Sequence, residues 1–395
     1  MIDSRAESMA EGRGANGRER AANAYIPALT GLRGIAASWV LLFHLWQFSG
    51  SPDLTLHLGD FAIPFTPLAG CGYMGVDLFF VLSGFLLSLP FHRRDRPPDL
   101  IRYGLQRCRR VLPAYYAQII ILVAVFAWYG RADVLTPGNL ATHLLLVQNI
   151  WPVGPSLNGI YWTMPIEWDF YIVLPVIGLL LTRIRPPLMY IVLFAASVAF
   201  RLICYQGFFD PAVGRFVSFG QIMQLPGRLD EFFCGVLGAW IYLNFPISAA
   251  RARMLIIAGV LGIAAIAIVS SILGHLIYPQ RFPALLFFFS LLGIAFGAIV
   301  LGAAAQGSRR TLFNNAVVAW LGLISYSLYL WHYPLLGVAQ HFGWAATGGV
   351  LALLQNLVLL LPPILFVSWL SQHFVERPFL ASRRHAHGMP ASLES

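Results

Sequence analysis

The sequence predicts an all-α, polytopic membrane protein with about ten transmembrane helices, and composition is the first reason. Hydrophobic residues make up 58% of the 395 residues, charged residues only 11%, and the mean hydropathy is +0.70. A soluble domain of this length has more charge and less apolar surface. The second reason is a series of ten apolar stretches, each near the ~20 residues that cross a bilayer as a helix. The third is an uneven distribution of arginine.

The ten predicted spans follow one another along the chain. They lie near 27 to 49, 73 to 91, 110 to 130, 159 to 181, 188 to 206, 228 to 244, 254 to 273, 282 to 304, 314 to 338 and 351 to 374. The fourth carries two carboxylates, Glu167 and Asp169, and the sixth begins with three charged residues, so these two spans are the least apolar. The piece from Leu140 to Ile150 is too short to cross and is expected to be interfacial or re-entrant.

Arginine supplies all of the lysine-plus-arginine charge, because no lysine occurs. With ten spans and a cytoplasmic N-terminus, twenty arginines fall in cytoplasmic segments and three, Arg131, Arg215 and Arg281, fall in outer ones. This bias follows the positive-inside rule and predicts that both termini are cytoplasmic. The net charge of +9 is then explained by topology and anionic headgroups, and nucleic acid is not expected as a partner.

Three segments are predicted: a disordered cytoplasmic tail over 1–25, one membrane domain over 26–379 and a second cytoplasmic tail over 380–395. The first tail is polar and has no apolar core typical of a signal peptide. The four cysteines show no metal-ligand spacing, so no metal and no disulfide framework are expected. The sequence also shows no P-loop, no dinucleotide-binding loop and no convincing repeat.

Two ionisable residues of the first span, Arg33 and His44, are the leading functional signal. Eleven positions separate them, which on a helix gives an offset of about 20° and an axial distance of roughly 16 Å. Ionisable groups inside a membrane helix are costly, so two on one face indicate a polar track across the bilayer.

Counting along each span divides the other polar residues between two depths. The outer level contains His44, Asp77, Glu167, Arg228, Asp230 and His332. The inner level contains Arg33, Arg107, Arg109 and Arg110. Guanidinium groups bind phosphates, and a buried histidine with a nearby carboxylate is a common general-base arrangement. The distance between the levels is close to the reach of an extended pantetheine chain, which favours an acyl-coenzyme A donor.

Seven segments resemble the acyltransferase 3 family of integral-membrane O-acyltransferases, in family order and over almost the whole chain. They are Arg33 through His44, Gly75–Phe85, Arg107–Pro113, Tyr161–Glu167, Gly227–Gly235, Ser325–His332 and Glu376–Pro378. One departure is the segment Trp-Thr-Met-Pro-Ile-Glu ending at Glu167, where the family often has Trp-Ser-Leu followed by two residues and Glu. Pro165 is expected to alter the local helix geometry without removing the acid.

The resemblance implies transfer of an acyl group, most often acetyl, from cytoplasmic acyl-coenzyme A to a hydroxyl of an extracytoplasmic glycan or glycolipid. It also implies a multi-pass protein of the bacterial inner membrane. The catalytic candidates are His44, Glu167 and Asp77. The donor-binding candidates are Arg33, Arg107, Arg110, Ser325 and Tyr326. The acceptor-binding candidates are Trp162, Arg228, Asp230 and His332.

Each candidate also has a structural alternative. Arg33 could be an interfacial anchor, and the Arg107 cluster could reflect only the positive-inside bias. Asp77 could position Arg228 in an ion pair, and since Arg228 and Asp230 are two residues apart, they are expected to have different partners. Glu167 could likewise belong to an ion pair. His44 could be a hydrogen-bonded histidine that serves helix packing, and so could His332 and the hydroxyls of Tyr326 and Tyr329.

The sequence leaves two alternatives for the function. A secondary transporter also has intramembrane charges, but it would show inverted halves and broken helices, and no such correspondence is visible. An acyltransferase could instead act on a small secondary metabolite. The acceptor, the acyl chain length and the oligomeric state are not encoded in a recognisable motif. A covalent acyl-enzyme is the lesser mechanism, because no serine or cysteine stands in an evident nucleophile motif.

Overall fold

The computed structural model describes residues 26–92, 98–150, 154–210, 215–216, 222–272, 284–307, 313 and 315–381. The longer helices are α1 Pro27–Phe48, α3 Gly75–Ser88, α4 Leu100–Trp128, α6 Thr163–Leu181, α7 Pro186–Phe208, α8 Leu225–Asn244, α9 Ala249–Ile272, α10 Ala284–Ala305, α11 Ala316–His341 and α12 Val350–Ser371. The short helices are α2 Thr66–Gly70, α5 Pro137–Leu144 and α13 Arg377–Ala381. The strands β1 Thr55–Leu58 and β2 Phe61–Pro64 form one antiparallel hairpin, and β3 Phe209–Asp210 and β4 Arg215–Phe216 form another.

The predicted fold class, all-α and polytopic, is confirmed. Each of the ten predicted spans coincides with one of the ten longer helices. Within the described residues, eight helices are long and apolar enough to cross a membrane. The two that fall outside this set are α8 and α11, which carry the charged and aromatic polar residues of the sequence motifs. The predicted tail over 1–25, and the predicted tail over 380–395 from residue 382 onward, lie outside the described residues, so the domain boundaries stay a prediction.

One predicted boundary differs from the structure. The third span was expected to begin near 110, but α4 begins at Leu100 and therefore includes Arg107 and Arg110. Asp99 caps this helix by accepting a hydrogen bond from the Arg102 backbone N–H at 3.0 Å. Hydropathy alone does not detect such a cap, so the predicted start was too late. The arginines thus lie on a regular helical surface with fixed spacing.

The chain divides into two compact units. The first unit comprises the described residues within 26–40, 55–98 and 166–322. Inside it α3 and α8 pack closely, because a side chain at Gly84 would meet the Phe232 carbonyl, and one at Gly235 would meet the Val81 carbonyl. Small residues at such crossings let two membrane helices approach backbone to backbone.

The second unit comprises the described residues within 41–54, 99–165 and 323–381. It contains α4, the short helix α5, the described part of the connection to α6, most of α11, and α12. Helix α5 has only 8 residues, so it is too short to cross a bilayer, as expected for this apolar piece. After α12 the chain makes a π turn over Gln372–Glu376 and continues into α13.

Candidate active site

Two histidines of the second unit form the centre of the candidate site. His44 lies on α1, which is one uninterrupted helix from Pro27 to Phe48, and His332 lies on α11. Nδ1 of His44 is 3.1 Å from Nε2 of His332. His332 is completely buried, and the half-buried His44 ring also packs edge-on against Tyr333, with 5.1 Å between the centroids.

The hydrogen bonds fix which ring nitrogens carry protons. Nδ1 of His332 is 2.9 Å from the Leu328 carbonyl, which can only accept, so this nitrogen donates. In neutral His332 the lone pair is then on Nε2, and Nδ1 of His44 donates to it. Neutral His44 consequently carries its lone pair on Nε2. This is the protonation state that a general base requires.

A proline inside α11, Pro334, explains why side chains from other segments hydrogen-bond to this helix. Pro334 has no N–H, so the Leu330 carbonyl four residues earlier lacks its helical donor. The buried side chain of Gln118 on α4 supplies one instead, with Nε2 2.6 Å from that carbonyl, and Asn158 Nδ2 supplies a second at 3.2 Å. Tyr161 donates to Gln118 Oε1 at 2.6 Å. The network fastens the helix turn that carries His332 to two other segments.

Replacing Gln118 by leucine should destabilise the protein more than replacing Asn158 by alanine. Gln118→Leu leaves the Tyr161 hydroxyl without its acceptor and removes the shorter bond to the Leu330 carbonyl, whereas Asn158 makes longer bonds of 3.2 and 3.4 Å. A buried polar group left without its partner costs about 1–3 kcal/mol. Thermal unfolding of both variants in one detergent compares the two effects. Equal midpoints would contradict this account of the network.

The segment before α6 is fastened by a third histidine, His143 on α5. Its Nδ1 donates to the Asn139 carbonyl at 2.8 Å, and its Nε2 accepts from the Leu157 N–H at 3.3 Å. Burial lowers the pKa of His143 below its ordinary value, which keeps the neutral form that both bonds need. Trp162, expected at the acceptor, is half-buried a few residues further on.

The predicted donor-binding arginines lie on one stretch of α4. Arg110 donates from Nη1 to Glu376 Oε2 at 3.0 Å and lies over the Tyr326 ring at 5.8 Å. Arg107 lies over the Tyr103 ring at 5.9 Å. Ser325 is fully buried, and the Tyr326 hydroxyl donates to the Val111 carbonyl at 2.9 Å. The structure therefore brings Arg110 and Tyr326 together, and it adds Glu376, to which sequence analysis assigned no role.

In the first unit, Asp77, Arg228 and Glu231 form a buried charge cluster. Arg228 donates to Asp77 Oδ1, and its Nε lies 3.1 Å from Glu231 Oε1. All three side chains are completely buried, and the guanidinium also lies over the Phe289 ring at 3.9 Å. This geometry favours the structural alternative for Asp77. Its catalytic role and the acceptor role of Arg228 stay predictions.

Asp230 has a different cation, as its position on α8 predicted. It accepts from Arg201 Nη2 at 2.6 Å and from the Ser290 hydroxyl. Arg201 also donates from Nε to the Gly227 carbonyl and from Nη1 to the Leu286 carbonyl, both at 2.8 Å. No role is predicted for Arg201 from the sequence, although a single charge in the middle of an apolar span already indicates a buried partner.

Glu167 and Arg33 have partners inside the first unit as well. Glu167 Oε1 accepts from Ser83 on α3 at 3.2 Å and from the Tyr171 hydroxyl one turn further along α6. The Arg33 guanidinium lies over the Phe79 ring at 5.5 Å. These two hydroxyl donors hold one oxygen of the Glu167 carboxyl group in a fixed position.

Comparison with known proteins supports the resemblance seen in the sequence. A family model described as an acyltransferase domain matches residues 26–373. The chain belongs to the acyltransferase 3 family. The match includes nearly every residue that the structure describes. No solved structure matches the chain significantly.

The relatives of this acyltransferase 3 protein include proteins named as peptidoglycan O-acetyltransferases and one named as a putative membrane-bound transacylase. It is 25% identical over 335 residues to the peptidoglycan O-acetyltransferase OatA of Listeria monocytogenes, covering 79% of this chain and 49% of the relative. It is 27% identical to the putative membrane-bound transacylase BcsY of Komagataeibacter xylinus, covering 88% and 81%. It is 26% identical to the putative peptidoglycan O-acetyltransferase YrhL of Bacillus subtilis, covering 90% and 55%. The chain thus spans about half the length of OatA and YrhL.

Proposed function

We propose that the protein is a membrane O-acyltransferase that moves an acetyl group from cytoplasmic acyl-coenzyme A to a hydroxyl of an extracytoplasmic glycan or glycolipid. Family membership supports the reaction class, and the relatives named as O-acetyltransferases support acetyl. The bonded pair of His44 and His332 is the single observation that carries the mechanism. The protein would lie in the bacterial inner membrane with both termini in the cytoplasm, in agreement with the arginine bias.

His44 is the general base in this mechanism. Its Nε2 takes the proton of the acceptor hydroxyl while the hydroxyl oxygen attacks the thioester carbonyl. The carbon–sulfur bond breaks, the acyl group is transferred to oxygen, and the proton passes from His44 to the leaving thiolate. Positioned proton transfer of this kind contributes typically about 10² to 10⁴ in rate.

His332 supports both protonation states of His44. Its Nε2 accepts from Nδ1 of neutral His44, and the same bond holds when His44 becomes an imidazolium. The hydrogen bond then has a charged donor and is stronger in the transition state than in the ground state. His332 is therefore proposed as an orienting residue for the base, in addition to the acceptor contact that the sequence suggested.

Changing His332 separates an orienting role from a packing role. His332→Phe keeps a ring but removes the acceptor nitrogen, whereas His332→Gln keeps an acceptor oxygen. A hydrogen bond to a charged group is worth about 1.5–3 kcal/mol, so we expect His332→Phe to lower kcat by about ten- to a hundredfold and His332→Gln to lose less. The kcat values of the purified variants test this. Equal losses in both variants, with unchanged unfolding midpoints, would refute it.

The donor is proposed to bind at the α4 surface of the second unit. Arg107 and Arg110 offer guanidinium groups on one helix, and Ser325 and Tyr326 lie on α11, where the Tyr326 ring faces Arg110. Guanidinium forks match phosphate oxygens in charge and geometry. Replacing both arginines by glutamine should therefore raise the KM for acyl-coenzyme A while leaving the protein inserted, and an unchanged KM would return them to the positive-inside explanation.

The roles of the remaining candidates rest on the sequence resemblance. Glu167 is proposed to assist the base, Arg33 to hold the donor arm, and Trp162 to contact the acceptor. Asp77 is proposed to take part in the reaction, and Arg228 and Asp230 are proposed to contact the acceptor, each from a buried ion pair of the first unit. No metal takes part in the proposed reaction.

A glycan acceptor is supported by the names of two relatives, and it can be tested in cells. Cell-surface glycans are compared by mass spectrometry between a deletion strain carrying the wild-type gene and the same strain carrying His44→Ala. We expect one glycan to gain the mass of an acetyl group only with the wild-type gene. Identical glycans, with a small hydroxylated metabolite acetylated instead, would favour the metabolite alternative.

A further inference from the structure

Glu376 is buried and carries two directed hydrogen bonds, yet the proposed reaction does not use it. Its side chain is 1% exposed. Oε2 accepts from Arg110 Nη1 at 3.0 Å, and Oε1 accepts from the Ser327 hydroxyl at 2.5 Å. The sequence motif Glu-Arg-Pro begins at this residue. Its position is therefore a candidate for a further role at the donor site.

The turn that carries Glu376 is built so that its side chain points back to α11. In an α-helix, five residues advance about 500°, which would place Glu376 about 140° away from Ser371. Here the Arg377 N–H donates to the Gln372 carbonyl five residues earlier, which makes a π turn. Residues five apart then lie on one side, and Ser371 and Glu376 both reach Ser327. Such turns are rare in proteins, and those that are found frequently lie at functional sites.

The hydrogen bonds around Glu376 leave one of its carboxylate oxygens for Arg110. Ser327 has one hydroxyl proton, and the 2.5 Å contact to a carboxylate oxygen is its stronger bond, so Ser371 donates to Ser327 over 2.8 Å. The chain of donors ends on Oε1 and leaves Oε2 for the guanidinium. Arg110 is one-quarter exposed and is also stacked over the Tyr326 ring, so it is held from two sides.

We propose that Glu376 is a positioning residue that fixes the Arg110 guanidinium for a phosphate group of the donor, an inference that rests on the proposed acyl-coenzyme A donor. A guanidinium has five N–H donors, and the bond to Glu376 uses Nη1 only. The side chain is ordered before the donor arrives, so binding loses less conformational freedom.

The negative charge of Glu376 opposes phosphate binding, and the size of this effect depends on the screening by water. Two charges roughly 6 Å apart repel by an amount worth about threefold in affinity across water and about a hundredfold at the effective dielectric of a protein surface. A charge-assisted hydrogen bond that orders the guanidinium is worth about ten- to a hundredfold. Because Arg110 is one-quarter exposed, a phosphate would reach it from the water side, and we expect the ordering effect to exceed the repulsion, so that losing Glu376 weakens donor binding.

The test compares wild type, Glu376→Gln, Arg110→Gln and the double variant in purified protein, by the rate of coenzyme A release at varied acyl-coenzyme A. We expect Glu376→Gln to raise the KM about tenfold with kcat within about twofold. The double variant should be no worse than Arg110→Gln, because Glu376 acts through that residue. Ser368→Ala is the matched control, since Ser368 is a buried serine of α12 whose hydroxyl donates to the Ile364 carbonyl at 2.7 Å, outside this hydroxyl chain, and it should keep the wild-type KM.

Adenosine 3′,5′-bisphosphate identifies the group that Arg110 binds, because it carries phosphates but no thioester. It should inhibit the wild type competitively and inhibit Glu376→Gln about tenfold less well. If Glu376→Gln fails to fold, Glu376→Asp is used, which keeps the charge but withdraws it by one methylene. An unchanged or lower KM, a fall in kcat alone, additive losses in the double variant or no inhibition by the bisphosphate would each overturn the inference. Wild-type protein that releases no coenzyme A would overturn the proposed function as well.

Discussion

His44→Ala should abolish acyl transfer while the protein still folds and binds its donor. The imidazole is proposed to accept the proton of the acceptor hydroxyl, and its loss should lower kcat by about 10² to 10⁴. The donor-binding side chains of α4 are untouched by the change. The measurement is the rate of acetyl ester formation by purified protein, together with the affinity for acyl-coenzyme A.

His341→Ala is the matched control for this variant. His341 is an exposed histidine at the end of α11, the helix that also carries His332, and it should leave kcat unchanged. Near-normal turnover in His44→Ala would refute the proposed mechanism. Loss of turnover in both variants would instead show a general sensitivity of this region.

Arg228→Ala should prevent stable folding of the first unit. The change leaves Asp77 and Glu231 completely buried without their shared cation. Removing one partner of a buried ion pair typically costs about 3–5 kcal/mol. Thermal unfolding and the yield of monodisperse protein in detergent measure the effect.

Arg131→Ala serves as the control for a lost ion pair. Arg131 pairs with Asp133 at 2.8 Å, but both side chains are about half exposed, so solvent screens the pair and little change is expected. A second variant adds Asp77→Asn and Glu231→Gln to Arg228→Met. Because it has no uncompensated buried charge, it should recover much of the yield. An unfolding midpoint of Arg228→Ala equal to that of the wild type would show that the buried charge cluster does not stabilise the first unit.

The membrane spans could be predicted from the sequence, and so could the opposite directions of the Arg228 and Asp230 side chains. Both depend only on hydropathy and periodicity within one helix. Arg228 and Asp230 are two residues apart on a helix, and the structure gives them separate partners, Asp77 and Arg201. The start of α4 was placed about ten residues too late, because hydropathy does not register a charged first turn capped by Asp99.

The pairings at the candidate site could not be predicted in the same way. His44 and His332 are 288 residues apart in sequence, and nothing local indicates which ring nitrogen meets which. The Gln118 contact becomes understandable only when Pro334 is seen to leave a carbonyl without its donor. The π turn rotates Glu376 away from the direction that its side chain would have on a continuous α-helix. Its contact with Arg110 could therefore not be predicted from helical periodicity.

In the proposed mechanism, one membrane domain transfers an acyl group from coenzyme A to a hydroxyl, with His44 as the base. The most direct test supplies purified protein in lipid vesicles with acetyl-coenzyme A labelled in the acetyl group and with a glycan acceptor. We predict that label appears in an alkali-labile ester on the glycan, with one coenzyme A released for each ester formed, and that His44→Ala forms neither product. Ester formation without coenzyme A release, or equal formation by His44→Ala, would contradict the account.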